Sequence, residues 1–207
     1  MMIQGFAVVV LLLASACSGP AERPASTAQA PVGAGEAEMA HVSGRASAGA
    51  LVTLEPTAGV PMPEGSAVMD QFSKAFVPDT LFVRVGQPVI FKNSEDQLHN
   101  VTVVRTRTGT GVFNVSQNQG DVHTHTFDQG GEYDVTCDVH PGMRATIVAT
   151  NAPHAVYADA RGAFAFENVT PGPYRLTISA DGRETGRAVD VAGAQVDLGD
   201  VRAGSSR

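Results

Sequence analysis

The segment Tyr133-Asp134-Val135-Thr136-Cys137-Asp138-Val139-His140-Pro141-Gly142-Met143 gathers a thiol, an imidazole and a thioether within seven residues. A strand sends alternate side chains to opposite faces, so a continuous strand would not bring Cys137 and His140 together. A tight turn through Pro141 and Gly142 folds Cys137, His140 and Met143 around one point instead. A second imidazole must come from elsewhere, and His99 is the strongest candidate, in Asp96-Gln97-Leu98-His99-Asn100-Val101 between two strand-like runs. Two imidazoles, one thiolate and a distant thioether suit a copper electron-transfer site. The thioether argues against zinc, whose usual ligands are thiolate, imidazole and carboxylate. Taken singly, each residue has a blander reading: His99 a surface or core histidine, Cys137 a small buried hydrophobe, Met143 core filler. Order and spacing together favour the metal.

His123 and His125, two apart in Asp121-Val122-His123-Thr124-His125, share a face if the segment is a strand. They are read as an exposed polar strand edge, with a second metal site as the alternative. His41 and His154 carry no pattern and are read as surface residues. Cys17 and Cys137 are the only cysteines, and a disulfide between them is set aside because each has a better local explanation. No Ser-His-Asp order, phosphate loop or paired-carboxylate signal stands out.

The elements that must position the donors are strands. Ala50–Glu55, Thr80–Val85, Val89–Asn93, Val101–Val104, Thr124–Phe127, Tyr133–Cys137 and Ala145–Ala149 are rich in β-branched and aromatic residues. Val68–Gln71 reads as a short strand edge. Gly86-Gln87-Pro88 predicts a turn pairing its two flanking strands, and Gly130-Gly131 another turn. After about residue 150 come Ala155–Tyr157, Gly162–Phe166 and Tyr174–Ile178, with Val189–Val191 and Val196–Val201 to close a small sheet. No helical periodicity persists, so an all-β antiparallel sandwich or barrel is expected.

The chain has 207 residues and a formal net charge of -7, enough for one or two small domains. The acidic balance and the lack of a Lys/Arg cluster exclude nucleic acid as a partner. Phe6–Leu13 is an apolar run too short to span a bilayer. With Ala14-Ser15-Ala16-Cys17 after it, the run reads as an export signal. The Cys after small residues resembles a bacterial lipobox, which implies cleavage before Cys17 and a lipid on its thiol. Ser18 is compatible with the outer membrane in a Gram-negative cell, and plain secretion is the fallback. Residues 17–40 are too poor in large apolar side chains to fold and form a tether.

Phe76-Val77-Pro78, Val83-Arg84-Val85-Gly86, Val89-Ile90-Phe91-Lys92-Asn93, His99-Asn100-Val101 and the Cys137–Met143 loop resemble, in that order, the landmarks of the cupredoxins, the plastocyanin- and amicyanin-like blue copper proteins. The resemblance covers roughly residues 68–150 and implies a Greek-key barrel with one type 1 copper near one end. It implies His99, Cys137 and His140 as equatorial ligands and Met143 as the weak axial one. It also implies that Asn100 locks the two ligand loops, its backbone amide pointing at the Cys137 sulfur.

Asp159-Ala160-Arg161-Gly162-Ala163-Phe164 and Pro171-Gly172-Pro173-Tyr174 resemble the carboxypeptidase regulatory-like β-sandwich, a structural or docking module. Its opening hairpin is missing after residue 150, but Val42–Arg45 and Gly49–Leu54 match it. The expected organisation is a signal over 1–16, a tether over 17–40, a hairpin over 41–56 belonging with the C-terminal module, a cupredoxin domain over 57–150 and the regulatory-like β domain over 151–207.

The resemblance implies one-electron transfer in the periplasm or cell envelope, with transient redox partner proteins and a membrane attachment through lipid. The chain is expected to be a monomer and not an enzyme, because a copper reductase needs a second, open, histidine-rich site. The alternative is a tethered protein that buffers or delivers copper with the same ligands.

Overall fold

The computed structural model describes residues 38–201. Cys17, the export signal and most of the expected tether lie outside them. The described residues form sixteen strands and no helix. In chain order these are β1 (Ala40–Arg45), β2 (Leu51–Pro56), β3 (Ala67–Phe72), β4 (Ala75–Val77), β5 (Thr80–Arg84), β6 (Pro88–Asn93), β7 (His99–Arg105) and β8 (Thr110–Gln117). There follow β9 (Val122–Thr126), β10 (Gly131–Thr136), β11 (Arg144–Thr150), β12 (His154–Tyr157), β13 (Ala163–Val169), β14 (Gly172–Ala180), β15 (Arg183–Val191) and β16 (Gln195–Asp200).

The strands make two sandwiches. The middle of the chain supplies one, with sheets ordered β5-β11-β10-β7-β8 and β4-β3-β6-β9. The flanking segments supply the other, with sheets β13-β1-β16 and β12-β2-β14-β15. Each closes over its own apolar core, one built on Met69, Phe91, Val101, Val135 and Ile147, the other on Val42, Leu54, Phe166, Leu176 and Ile178. Alternation drives this closure: in β2, Val52 and Leu54 point inward and their neighbours outward. Each sandwich carries a tyrosine whose hydroxyl donates to the carbonyl four residues back, Tyr133 to Gln129 and Tyr174 to Thr170, both at 2.8 Å.

Strand β1 pairs with β13 and β16, and β2 with β12 and β14. Residues 50–54 therefore do not pair only with middle strands, the arrangement that would have ruled out a split flanking module. In the Asp159–Gly162 turn, Asp159 Oδ1 accepts from the Arg161 and Ala163 amides at 2.7 and 2.8 Å. Gly162 sits at φ +81, where a Cβ would collide with the Ala46 carbonyl, so only glycine fits. The sandwiches meet where the Tyr157 hydroxyl donates to the Glu132 carboxylate and the Phe82 and Tyr157 rings lie 5.8 Å apart.

Three sequence expectations need correction. Strands β5 and β6 do not pair: β5 lies against β11 and β6 against β3 and β9. Gly86, at φ +87, turns the chain from one sheet to the other, because both strands bury one face and their partners come from distant sequence. Strand β3 is an inner strand of its sheet, not an edge. Strand β8, which the sequence did not suggest, covers the outer side of β7.

Candidate metal centre

Three inward-facing rows of the middle sandwich end at one pole. On β7 the row is His99, Val101 and Val103, each at 0% exposure. On β10 it is Tyr133 and Val135, and the same alternation turns Cys137, one residue past the strand, into the core. On β11 the row is Ala145, Ile147 and Ala149, preceded by buried Met143. Val135 sits opposite both Val103 and Ala145, so Cys137, two residues on, falls between β7 and Met143. The Cys137 amide donates to the Met143 carbonyl at 3.3 Å, and the Met143 amide to the His140 carbonyl at 3.2 Å. These bonds fold residues 138–142 back over the sandwich end, with Gly142 at φ +105.

His99 Nδ1 lies 3.0 Å from His140 Nδ1 and 3.8 Å from Cys137 Sγ. His99, Cys137 and His140 offer ligand atoms within 4.8 Å of one another, the one such group of three among the described residues. His99 Nε2 lies 2.6 Å from Glu95 Oε2. The Glu95 carboxylate engages one ring nitrogen, and the other, Nδ1, faces His140 and Cys137. Two imidazole nitrogens and a sulfur this close suit a shared cation. Bonds of about 2.0 Å to nitrogen and 2.3 Å to sulfur span such separations. Copper matches the thiolate and imidazole donors. Cys137 is buried and free, while His140 is half-buried under exposed Pro141 and Gly142.

Asn100 ties the two ligand segments through its side chain. Its Oδ1 accepts the Asp138 amide at 2.6 Å, and its Nδ2 donates to Asp138 Oδ2 at 2.8 Å. Thr102 Oγ1 reaches the same carboxylate at 2.9 Å. The Asn100 and Thr102 bonds, joined by one from Asn114, outweigh burial and hold the Asp138 carboxyl below its ordinary pKa. The Cys137 sulfur lies in contact with His99 Nδ1. The tie between the two segments is made by the Asn100 carboxamide and Asp138.

Sequence reasoning missed Glu95. Burial would raise its pKa, but the Lys74 amide, the His99 ring and the Ser73 amide together hold it below 4.5. The available signal was an acid four residues before a candidate ligand in a loop, easily taken for a solvated turn. His123 and His125 lie on edge strand β9, opposite buried Phe91 and Val89, so their rings face inward and are half-buried. The Phe113 ring packs against both, at 4.7 and 4.9 Å, and no third ligand group joins them among the described residues.

A family model described as copper binding proteins, plastocyanin/azurin family, matches residues 64–150. One described as the carboxypeptidase regulatory-like domain matches residues 136–203. The second match begins on β10 and β11, which pair within the middle sandwich. Amicyanin from Paracoccus denitrificans is 30% identical over 94 residues, 45% of this chain and 72% of that protein. Amicyanin from Paracoccus versutus is 25% identical over 95 residues, again 45% and 72%. Among solved structures, a purple cupredoxin from Nitrosopumilus maritimus shares 23% identity over 41% of this chain and all of its own, with a TM-score of 0.37. The convergence of His99, Cys137 and His140, the matched residues and the extent of the amicyanin likeness lead to one conclusion: the chain belongs to the copper-binding plastocyanin/azurin family of cupredoxins.

Proposed function

We propose that the protein is a type 1 copper electron carrier of the bacterial cell envelope, with His99, Cys137 and His140 as strong ligands and Met143 as the weak axial one. The observation that carries this reading is the meeting of His99 Nδ1, Cys137 Sγ and His140 Nδ1 at one pole. Copper held there supplies one-electron exchange between its two oxidation states. The chain's part is to keep the ligands still. Glu95 fixes the His99 ring, Asn100 and Asp138 fasten the loop that carries His140, and the strand ends hold Cys137 and Met143 in the core. Ligands that do not move reduce the reorganisation that each electron demands.

The outer edge of His140 is the exit. It is the most exposed of the three converging ligands, and Leu98 and Val139 stand exposed at 47% and 46%. An apolar rim around a half-buried imidazole suits a brief, weak contact with another redox protein, at the small end of interface sizes. The flanking hairpin 41–56 together with residues 151–207 is proposed as one regulatory-like module that carries the copper domain of residues 57–150. Cys17 is proposed as the lipid attachment, with a secreted monomer as the form that lacks it.

Voltammetry separates a carrier from a copper-delivery protein. A carrier gives a reversible one-electron wave and keeps its copper through repeated cycles beside a competing Cu(I) chelator. Rapid surrender of Cu(I) to the chelator on reduction favours delivery.

A further inference from the structure

Gln71, Asn93 and Gln117 are each 1% exposed, and the ligand set does not use them. Gln71 lies on β3, Asn93 ends β6 and Gln117 ends β8, so the three come from both sheets of the middle sandwich. Gln117 is directly opposite His99 in the β7–β8 ladder, which puts their side chains on the same inner face. Gln71 Nε2 donates to Gln117 Oε1 at 2.5 Å across the sheets. Gln117 Nε2 donates to the Phe91 and Asp121 carbonyls at 3.0 and 3.1 Å. Asn93 Nδ2 donates to the Gln117 and Gln97 carbonyls at 3.0 and 2.8 Å. Asn93 Oδ1 accepts the Glu95 amide at 2.9 Å, and Glu95 holds His99 at 2.6 Å.

Resting on the copper reading, we infer that Gln71, Gln117 and Asn93 form a buried positioning brace that sets the 93–99 loop, and through Glu95 the His99 ring, against the metal. Burying carboxamides is costly unless every polar atom is paired. The Gln71 Oε1 atom is buried with no partner, so the group is not the cheapest filling for its place. An apolar side chain of similar size would close the gap between the sheets without that cost. What it would not supply is the donor to Gln117, which steadies the residue facing His99. Directional hydrogen bonds between buried groups hold one arrangement where an apolar contact tolerates several. A metal ligand on a loop needs that single arrangement.

The test compares Gln117→Met and Gln71→Met in the full chain with wild type and with Leu54→Ala, a core change in the other sandwich. For each Met variant we expect Cu(II) to bind about 10- to 100-fold more weakly, the range for losing a ligand's outer hydrogen-bond partners. A tenfold difference between oxidation states moves the one-electron potential by about 59 mV. In the metal-free protein, amide exchange at Glu95 and His99 should accelerate. Leu54→Ala should lower the unfolding midpoint and leave the potential in place. Should Gln117→Met fail to fold, Gln71→Met reads the brace from its far end. Folded Met variants with wild-type affinity, potential and amide exchange overturn the brace alone. A wild-type chain with no thiolate-to-copper absorption overturns the copper reading and the brace with it.

Discussion

The two sandwiches are built from the same kind of strand, yet their interiors differ in kind. Five buried polar residues occur among the described residues, Gln71, Asn93, His99, Asn100 and Gln117, and all five belong to the middle sandwich. The flanking core, from Val42 and Leu54 to Leu176 and Val191, is aliphatic and aromatic, with the Tyr174 hydroxyl bonded to a backbone carbonyl. One sandwich is closed mainly by burial of hydrocarbon. The other gives up one pole to hydrogen-bonded groups and keeps its hydrocarbon for the remainder. The fully buried polar residues gather at the end of the sandwich where the candidate ligand atoms meet.

If that division holds, damage to the flanking core should cost stability and leave the metal centre alone. Leu176, at 0% exposure, is the sharpest probe. Leu176→Ala should cost about 2–5 kcal/mol in a denaturant titration, while the copper absorption per folded molecule stays unchanged. A changed absorption band would break the comparison. The converse change is Asn100→Ala, which removes the acceptor of the Asp138 amide. It should weaken copper binding about 10- to 100-fold in a competition titration. The hydrogen exchange of β2 and β14 should be untouched.

Smaller effects refine the picture. Glu95→Gln keeps a group of the same shape beside His99 but removes its negative charge, which favours Cu(II). The reduction potential should rise by roughly 60 mV, a tenfold shift in the one-electron equilibrium, as read by voltammetry. In the flanking sandwich His154 packs near Phe166 and Tyr174, with ring centroids at 6.0 and 6.4 Å, and burial lowers its pKa below 6.5. A neutral, half-buried imidazole contributes its full stability above pH 6.5. That contribution is lost as the pH falls through the lower folded value. The unfolding midpoint of His154→Phe should depend less on pH than that of wild type over this interval.

The candidate ligands were legible because metal chemistry and strand alternation constrain them together. A thiol, an imidazole and a thioether at Cys137, His140 and Met143 have few other joint uses, and the β-branched runs on either side supplied strands to hold them. The hairpin at residues 41–56 could be matched to the C-terminal module because its Gly-Arg and Gly-Ala-Leu pattern survives the separation. The brace was not legible. Gln71 shares the inner face of β3 with buried Met69, but its partner there, Gln117, comes from the opposite sheet, which local sequence does not encode. Strand β8 was missed because Gly111, Asn114 and Ser116 interrupt any alternation and most of the strand is exposed or half-exposed. His154 reads as a surface residue until β12 is seen against β2. The partners of β5 and β6 lie far along the chain, so the short turn between them fits a hairpin and a sheet-to-sheet crossing equally well.

The central claim is that Cys137, His99 and His140 hold one copper between them. Titrating Cu(II) into the purified protein and recording the visible spectrum tests it most directly. The account predicts an intense thiolate-to-copper band that saturates at one copper per chain and disappears in Cys137→Ser. A colourless product, or a band that survives in Cys137→Ser, would contradict it.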